Sequence, residues 1–149
     1  MRGLLLGVLV ACGPTDRTID LAHDSCAPLA VMPIDASAEQ LGAIDAGLAL
    51  WHAQGLRGLG EPGGATIELR FDDASPAFHG LYDDEHGVIY LNRLLAPDEI
   101  AIVVAHELGH AYGLDHLADS TSVMRSGNTE TPPSAADRAL LESLWGRCD

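Results

Sequence analysis

The sequence predicts an α+β domain, because segments with the apolar pattern of helices alternate with segments that have the pattern of strands. Apolar residues recur three or four positions apart over residues 38–54, as on one face of a helix. Residues 65–71 alternate between apolar and polar side chains, which indicates a half-buried strand. A second helix begins at Pro97 and contains the run 100–105, which is apolar on all sides and must be buried.

The first half of the chain is predicted to contain a helix that Asp35 or Ser37 can cap. Before it, residues 27–32 either form a short strand or are disordered. The helix should place one apolar face on a sheet. That face consists of Leu41, Ile44, Leu48 and Trp51. Residues 55–64 contain five glycines and one proline and are predicted to form a loop.

In the second half, two further strands are predicted over residues 77–82 and 88–91, separated by an acidic turn. Residues 118–133 are predicted to form a polar loop, and Ser134 to cap a final helix that ends near Trp145. The predicted buried residues of that helix are Ala135, Ala139, Leu140, Leu144 and Trp145. A chain of 149 residues is long enough for one domain with an ordinary core.

The net charge of the chain argues against nucleic acid as a partner. There are 22 acidic and 8 basic side chains, which give a formal net charge of −14. Such a surface repels phosphates over most of its area. The acidity favours solubility and indicates only weakly that partners are cationic.

The most informative stretch runs from His106 to His116 and has the spacing of a zinc site. His106 and His110 are four residues apart and therefore project from the same face of a helix. Glu107 lies beside them, within reach of a water molecule on the metal. Gly113 can end the helix in a left-handed conformation, so that His116 turns back as a third ligand. Three imidazoles leave one tetrahedral position open, as in catalytic zinc sites.

These residues match HExxHxxGxxH at each fixed position, and the chain therefore resembles the metzincin clan of zinc metalloproteases. In that clan a methionine turn follows the third histidine, and Ser122-Val123-Met124-Arg125 lies at the corresponding place, with Met124 as an apolar floor under the metal. The resemblance implies a minimal metzincin-like (zincin) α+β fold. Its parts are a twisted mixed sheet, a backing helix, an active-site helix, and a small C-terminal subdomain that contains the methionine turn and the final helix.

The resemblance also implies a zinc-dependent endopeptidase with one zinc ion per chain and a peptide or protein as its substrate. His106, His110 and His116 would hold the zinc, and Glu107 would take a proton from the zinc-bound water and pass it to the leaving amine. Ser126 stands where many relatives have a tyrosine, so no help from such a tyrosine is expected. The alternative is a non-catalytic zinc-containing surface lipoprotein that binds a protein or cell-wall partner.

In metzincins the strand before the active-site helix is the sheet edge that lines the cleft. Residues 88–92 lie at the matching place and are predicted to be that edge. An edge strand has unpaired backbone groups, so an extended peptide could pair with it beside the metal.

The N-terminus is predicted to be an export signal over residues 1–11, whose apolar run is too short to span a bilayer. Leu9-Val10-Ala11-Cys12 resembles the lipobox of bacterial lipoproteins, which implies cleavage before Cys12 and lipidation of its thiol. Gly13 favours the outer membrane. The alternatives are a plain signal peptide and a secreted protein.

This interpretation makes residues 12–33 the lipidated cysteine and a tether, and residues 34–149 the catalytic domain. Contact with the membrane would be through the lipid anchor only, and the protein is expected to be a monomer. Cys26 and Cys148 are expected to form a disulfide after export. The open alternatives are that Cys26 fills the vacant zinc position as a latch, or that neither cysteine is engaged.

Several polar residues outside the motif have bland interpretations. The acidic turn residues Asp72, Asp73, Asp83, Asp84 and Glu85 could include calcium ligands, but no EF-hand spacing is present. Tyr112 is expected in the core, and Asp115 either supports a ligand histidine or lies on the surface. The remaining histidines are predicted to be ordinary surface or partly buried residues; they are His23, His52, His79 and His86.

Overall fold

A computed structural model of the chain describes residues 21–149. The predicted signal peptide, residues 1–11, and the predicted lipidation site, Cys12, lie outside these described residues and remain predictions. Across residues 21–149, no helix is both long enough and apolar enough to cross a membrane.

A four-stranded mixed sheet forms one layer of the domain. Its strands are β1 (Leu29–Pro33), β2 (Ala65–Asp72), β3 (Gly80–Asp83) and β4 (Val88–Asn92). In space they follow the order β1-β2-β4-β3, with β1, β2 and β4 parallel and β3 antiparallel to β4. The predicted α+β class and the mixed sheet are therefore confirmed.

The edge of the sheet beside the cleft is β3, so the prediction that residues 88–92 form this edge is wrong. β4 inserts between β2 and β3, pairing parallel with the former and antiparallel with the latter. The hairpin turn between β3 and β4 is closed at Gly87, which has φ +67° and donates its N–H to Asp83 O at 2.8 Å. The hairpin therefore places β4 in the interior of the sheet and β3 at its edge.

Two long helices lie side by side next to the sheet. The helix α1 (Ala38–Ala53) begins at Ser37, whose Oγ accepts the N–H of Gln40 at 3.2 Å, while Gln40 Oε1 accepts the N–H of Ser37 at 2.8 Å. This reciprocal pair satisfies two of the free amides at the start of the helix. The helix α2 (Pro97–Ala111) has five of its residues 100–105 buried, as its apolar run predicts.

α1 packs closely along α2. A Cβ on Gly47 would lie 2.8 Å from Ala101 O, so the two backbones nearly touch at this glycine. Trp51 is fully buried and donates its Nε1–H to Ala105 O at 2.8 Å. Leu41, predicted on the buried face, is instead 43% exposed. The helix thus holds α2 along its apolar run, just before the metal motif begins.

The final helix, α3 (Ala135–Trp145), packs Trp145 against the core as predicted, but the rest of its buried face differs from the predicted one. Its buried residues are Asp137 and Leu141, whereas Leu140 is 37% exposed and Leu144 is 53% exposed. The reason is that the buried hydrogen bonds of Asp137 set the rotation of the helix, and Leu141 lies one turn further along the same face.

Residues 21–33 are part of the folded domain, so the predicted tether over residues 12–33 is wrong for this part of the chain. His23 donates its backbone N–H to Ala111 O at 2.8 Å, and β1 pairs with β2. Leu29 is only 1% exposed. The lack of apolar periodicity in this stretch suggested a tether. The stretch is instead held in the domain by backbone hydrogen bonds and by a covalent link.

The covalent link is a disulfide between Cys26 and Cys148, whose Cα atoms lie 5.0 Å apart. It joins residues separated by 122 positions. In the chain-entropy model, closing so long a loop stabilises the folded state by about 4–5 kcal/mol.

Reduction of this disulfide is therefore expected to lower the free energy of unfolding by about 4–5 kcal/mol. Denaturant titration with and without reductant measures the change. A non-reduced proteolytic digest is expected to contain the Cys26 and Cys148 peptides joined together. Recovery of the two peptides unlinked would contradict the disulfide.

Candidate metal centre

Three histidine side chains converge at the end of α2. His106 and His110 lie one turn apart on the helix, and the chain turns at Gly113, which has φ +95°, to bring back His116. The Nε2 atoms of His106 and His116 are 3.2 Å apart. One ring nitrogen from each of the three histidines lies within 4.8 Å of the others. The group can therefore hold one metal ion.

Backbone carbonyl groups orient two of the three rings. The Nδ1–H of His106 donates to Val123 O at 2.7 Å, and the Nδ1–H of His110 donates to Leu114 O, also at 2.7 Å. These bonds select the tautomer in which Nε2 carries the free lone pair. The Nε2 lone pair of His106 thus faces the Nε2 atom of His116, so both nitrogens can serve as ligands of one ion.

The protonation state of the rings also suits zinc. Burial lowers the pKa of His110 to about 4, and burial likewise lowers the pKa of His106. Both rings are therefore neutral at neutral pH, as a metal ligand must be. Three imidazole nitrogens and one open position form the donor set of a catalytic zinc site.

Glu107 lies beside the histidines and is only 4% exposed. Burial raises the pKa of its carboxyl to about 8, and a hydrogen bond from the backbone amide of Tyr82 partly opposes that rise. β3 approaches so closely that a Cβ on Gly80 would lie 2.9 Å from Glu107 Oε1. A zinc ion bound to the histidines would favour the ionised form of this carboxyl, which is the form that can accept a proton from water.

Met124 packs beneath this centre. Its side chain is fully buried, and its Sδ lies against α2 at Gly109, where any Cβ would overlap it. No pattern in the sequence predicts a role for Gly109, because the role of a glycine inside a helix depends on which side chain packs against it. Met124 and Gly109 together set the height of α2 above the methionine turn.

Gly109→Ala is therefore expected to lower the free energy of unfolding by about 1–3 kcal/mol, because the added methyl group separates α2 from Met124. Gly42→Ala is the matched control, since a Cβ on Gly42 of α1 would meet nothing within 4 Å. That control is expected to gain about 0.5–1 kcal/mol from helix propensity. Denaturant titration of both variants decides; equal changes would contradict the packing role of Gly109.

Asp137 of α3 is a buried carboxylate that holds the methionine turn, a role that the apolar pattern of the sequence does not predict. It is 1% exposed and accepts hydrogen bonds from Ser122 Oγ and from the N–H of Val123, the latter at 3.2 Å. Val123 O in turn accepts the hydrogen bond from the Nδ1–H of His106. The only sequence signal was the spacing of Ser134 and Asp137, since Ser134 N and Oγ donate to Asp137 at 2.8 and 2.9 Å.

The metal centre opens into a cleft of about 1020 Å³. β3 forms one wall, and α2 with residues 126–128 forms the facing side. His79, Asp115 and Ser126 line the cleft, whereas Tyr112 is fully buried in the core. The structure thus brings the sequence-predicted ligands and Glu107 together at the floor of one open groove.

The acidic turn residues do not assemble a second site in the part of the chain that is described. Within residues 21–149, the three histidines are the one group of side chains placed to hold a metal ion. Asp73 pairs with Arg93 at 3.2 Å, and Asp83 pairs with His86 at 2.9 Å. The structure therefore gives no support to the suggested calcium ligands.

Comparison with known proteins places this geometry in a family. A family model described as matrixin matches residues 60–145, which is more than half of the chain. A search of curated proteins found no match.

Solved structures with the same fold include two of myroilysin, each with a TM-score of 0.56 and 10% sequence identity. One alignment covers 87% of this chain and 98% of that chain, and the other covers 86% of each. A third structure is of high choriolytic enzyme 1, a hatching enzyme zinc-protease from Oryzias latipes (medaka fish). It has a TM-score of 0.53 and 14% identity, and the alignment covers 89% of this chain and 100% of that one. These likenesses show the fold; with the family match and the three-histidine group, they lead to the conclusion that the chain belongs to the matrixin family and is a zinc metalloprotease.

Proposed function

We propose that this protein is an endopeptidase in which Glu107 activates the attacking water. The observation that carries the proposal is the position of one carboxyl group. Glu107 is buried beside the three histidines, yet it lines an open cleft. A carboxyl group so placed can reach a water molecule and a substrate at the same time.

His106, His110 and His116 would hold the zinc through their Nε2 atoms. When bound there, zinc supplies Lewis-acid chemistry that polarises the scissile carbonyl group and lowers the pKa of water. The other steps belong to the chain itself. The carboxylate of Glu107 would accept the proton of the attacking water and then donate it to the nitrogen of the leaving peptide.

The substrate is proposed to be an extended peptide that pairs with β3. In the described part of the chain this strand hydrogen-bonds to β4 on one side and to no strand on the other, and residues 80–82 line the cleft. Leu81 is 44% exposed and offers an apolar contact to the bound chain. Main-chain pairing extends to both sides of the scissile bond and needs no chain end, which supports cleavage at internal bonds.

A peptide with acetylated and amidated ends and an internal fluorophore–quencher pair tests the proposal. The zinc-loaded protein is expected to cleave it, to lose activity on chelation, and to regain activity when zinc is restored. Cleavage only of peptides with free ends would show an exopeptidase. A zinc-loaded protein that cleaves neither kind of peptide would contradict the proposal and favour the non-catalytic alternative.

A further inference from the structure

The stretch from Leu21 to Cys26, here called the strap, crosses the end of α2 and is fastened at three points. The hydroxyl of Tyr82 donates to Leu21 O at 2.7 Å. The backbone N–H of His23 donates to Ala111 O at 2.8 Å. The third point is the disulfide from Cys26 to Cys148. One short segment thus contacts the edge strand, the ligand helix and the C-terminal end of the chain.

Each of the first two points lies next to the catalytic machinery. Tyr82 is in β3 and is 6% exposed, and its strand lies against Glu107 at Gly80. Ala111 is the last residue of α2, one position after the ligand His110. The strap therefore spans from the strand beside Glu107 to the helix that carries two of the ligands.

The C-terminal helix α3 contacts the same end of α2. Trp145 donates its Nε1–H to Tyr112 O at 2.7 Å. A Cβ on Gly113 would lie 3.5 Å from Ala22 Cβ and 3.6 Å from Leu144 Cδ1. The strap and α3 thus meet at the turn that leads to His116, and the disulfide ties these two elements together.

β3 has a particular need for such a fastening. It has four residues and, within residues 21–149, pairs with β4 alone, so its backbone ladder by itself leaves it free to move away from α2. Leu21 also packs against the hairpin turn between β3 and β4. A Cβ on Gly87, in that turn, would lie 3.3 Å from Leu21 Cδ2. The strap therefore holds both ends of the β3–β4 turn region against the rest of the domain.

We propose that the strap sets the distance between β3 and the Glu107 carboxylate, and that Tyr82 is the positioning residue through which it acts. The inference rests on the proposed function, because it assigns the strap to a cleft that pairs with peptides. A peptide bound to β3 would approach Glu107 correctly only while the Tyr82 hydroxyl holds the strand in place. The Tyr82 hydroxyl does not contact the reacting atoms in this account, whereas its backbone amide donates a hydrogen bond to the Glu107 carboxyl.

Tyr82→Phe tests the proposal, with Tyr90→Phe as the matched control. Tyr90 lies on the adjacent strand β4, and its hydroxyl makes no hydrogen bond within residues 21–149. Tyr82→Phe is expected to lower kcat about tenfold while KM changes less than twofold, because the peptide still pairs with β3 but lies wrongly relative to Glu107. The Tyr90 variant is expected to match the wild type in both constants.

Hydrogen exchange provides a readout that needs no turnover. The backbone amides of residues 80–83 are expected to exchange at least tenfold faster in Tyr82→Phe than in the wild type or in Tyr90→Phe, with no change in α1. A Cys26→Ser/Cys148→Ser double variant, which releases the third point, is expected to show faster exchange in the same residues.

Unchanged exchange over residues 80–83 in Tyr82→Phe would overturn the strap, and so would equal losses of kcat in the two tyrosine variants. If the wild type cleaves no peptide, the proposed endopeptidase is wrong, but the exchange comparison still decides whether the strap holds β3. The two failures are therefore distinguishable.

Discussion

Glu107→Gln is expected to slow peptide cleavage by about 10²–10⁴-fold while zinc remains bound at one ion per chain. Glutamine keeps the size of the side chain but cannot accept a proton from water. The measurement is kcat on the blocked peptide together with the zinc content of the purified variant. A variant that cleaves at the wild-type rate would contradict the role of Glu107, and one that has lost its zinc would not be informative about acid–base chemistry.

The same substitution is expected to stabilise the metal-free protein at alkaline pH. Burial raises the pKa of Glu107 from 4.5 to about 8, so its favourable contribution is fully present below pH 4.5 and is lost as the pH rises through 8. The unfolding free energy of Glu107→Gln minus that of the wild type should therefore increase between pH 5 and pH 8 by roughly 3 kcal/mol. Denaturant titrations in chelator at the two pH values test this, and an unchanged difference would contradict it.

Asp137→Asn is expected to lower the free energy of unfolding by about 2–4 kcal/mol and the affinity for zinc about 10–100-fold. The carboxylate accepts hydrogen bonds from Ser122, Val123 and Ser134, all of which donate to it. An asparagine amide would turn one acceptor atom into a donor and leave a buried donor unpaired. Because Val123 O holds the His106 ring, the disturbance reaches the metal centre.

Asp45→Asn is the control for Asp137→Asn. It makes the same chemical change at a residue that lies exposed on α1. Denaturant titration and competition for zinc with a chelating dye measure the two effects. Equal zinc affinities in the two variants would show that the zinc site does not depend on the hydrogen bonds of Asp137 to the methionine turn.

The metal centre could be predicted from the sequence because its residues lie close together in the chain. His106, Glu107 and His110 lie within two helical turns, and their directions follow from helix geometry alone. Gly113 indicates the end of the helix because glycine readily adopts a positive φ, and the structure shows that positive φ. The elements themselves also follow from local pattern, as the cap at Ser37 shows.

The order of the strands could not be predicted, because it depends on partners far apart in the sequence. β4 pairs with β2, although β3 comes before β4 in the chain. Tyr82 illustrates the consequence. Its bond to Leu21 O joins residues 61 positions apart, and neither end has a local signature.

The buried face of α3 was mispredicted for a related reason. Apolar residues suggested Leu140 and Leu144, but a single buried carboxylate with several hydrogen bonds set the helix rotation instead. A rule based on apolar periodicity cannot anticipate a polar residue that is buried because it is satisfied.

X-ray absorption at the zinc edge of the zinc-loaded protein tests the central claim most directly, since that claim is a single ion held by three imidazoles with one position free for water. The account predicts three imidazole nitrogens at about 2.0–2.1 Å and one exchangeable oxygen ligand. A sulfur ligand at about 2.3 Å, or a fourth protein ligand that closes the site, would contradict it.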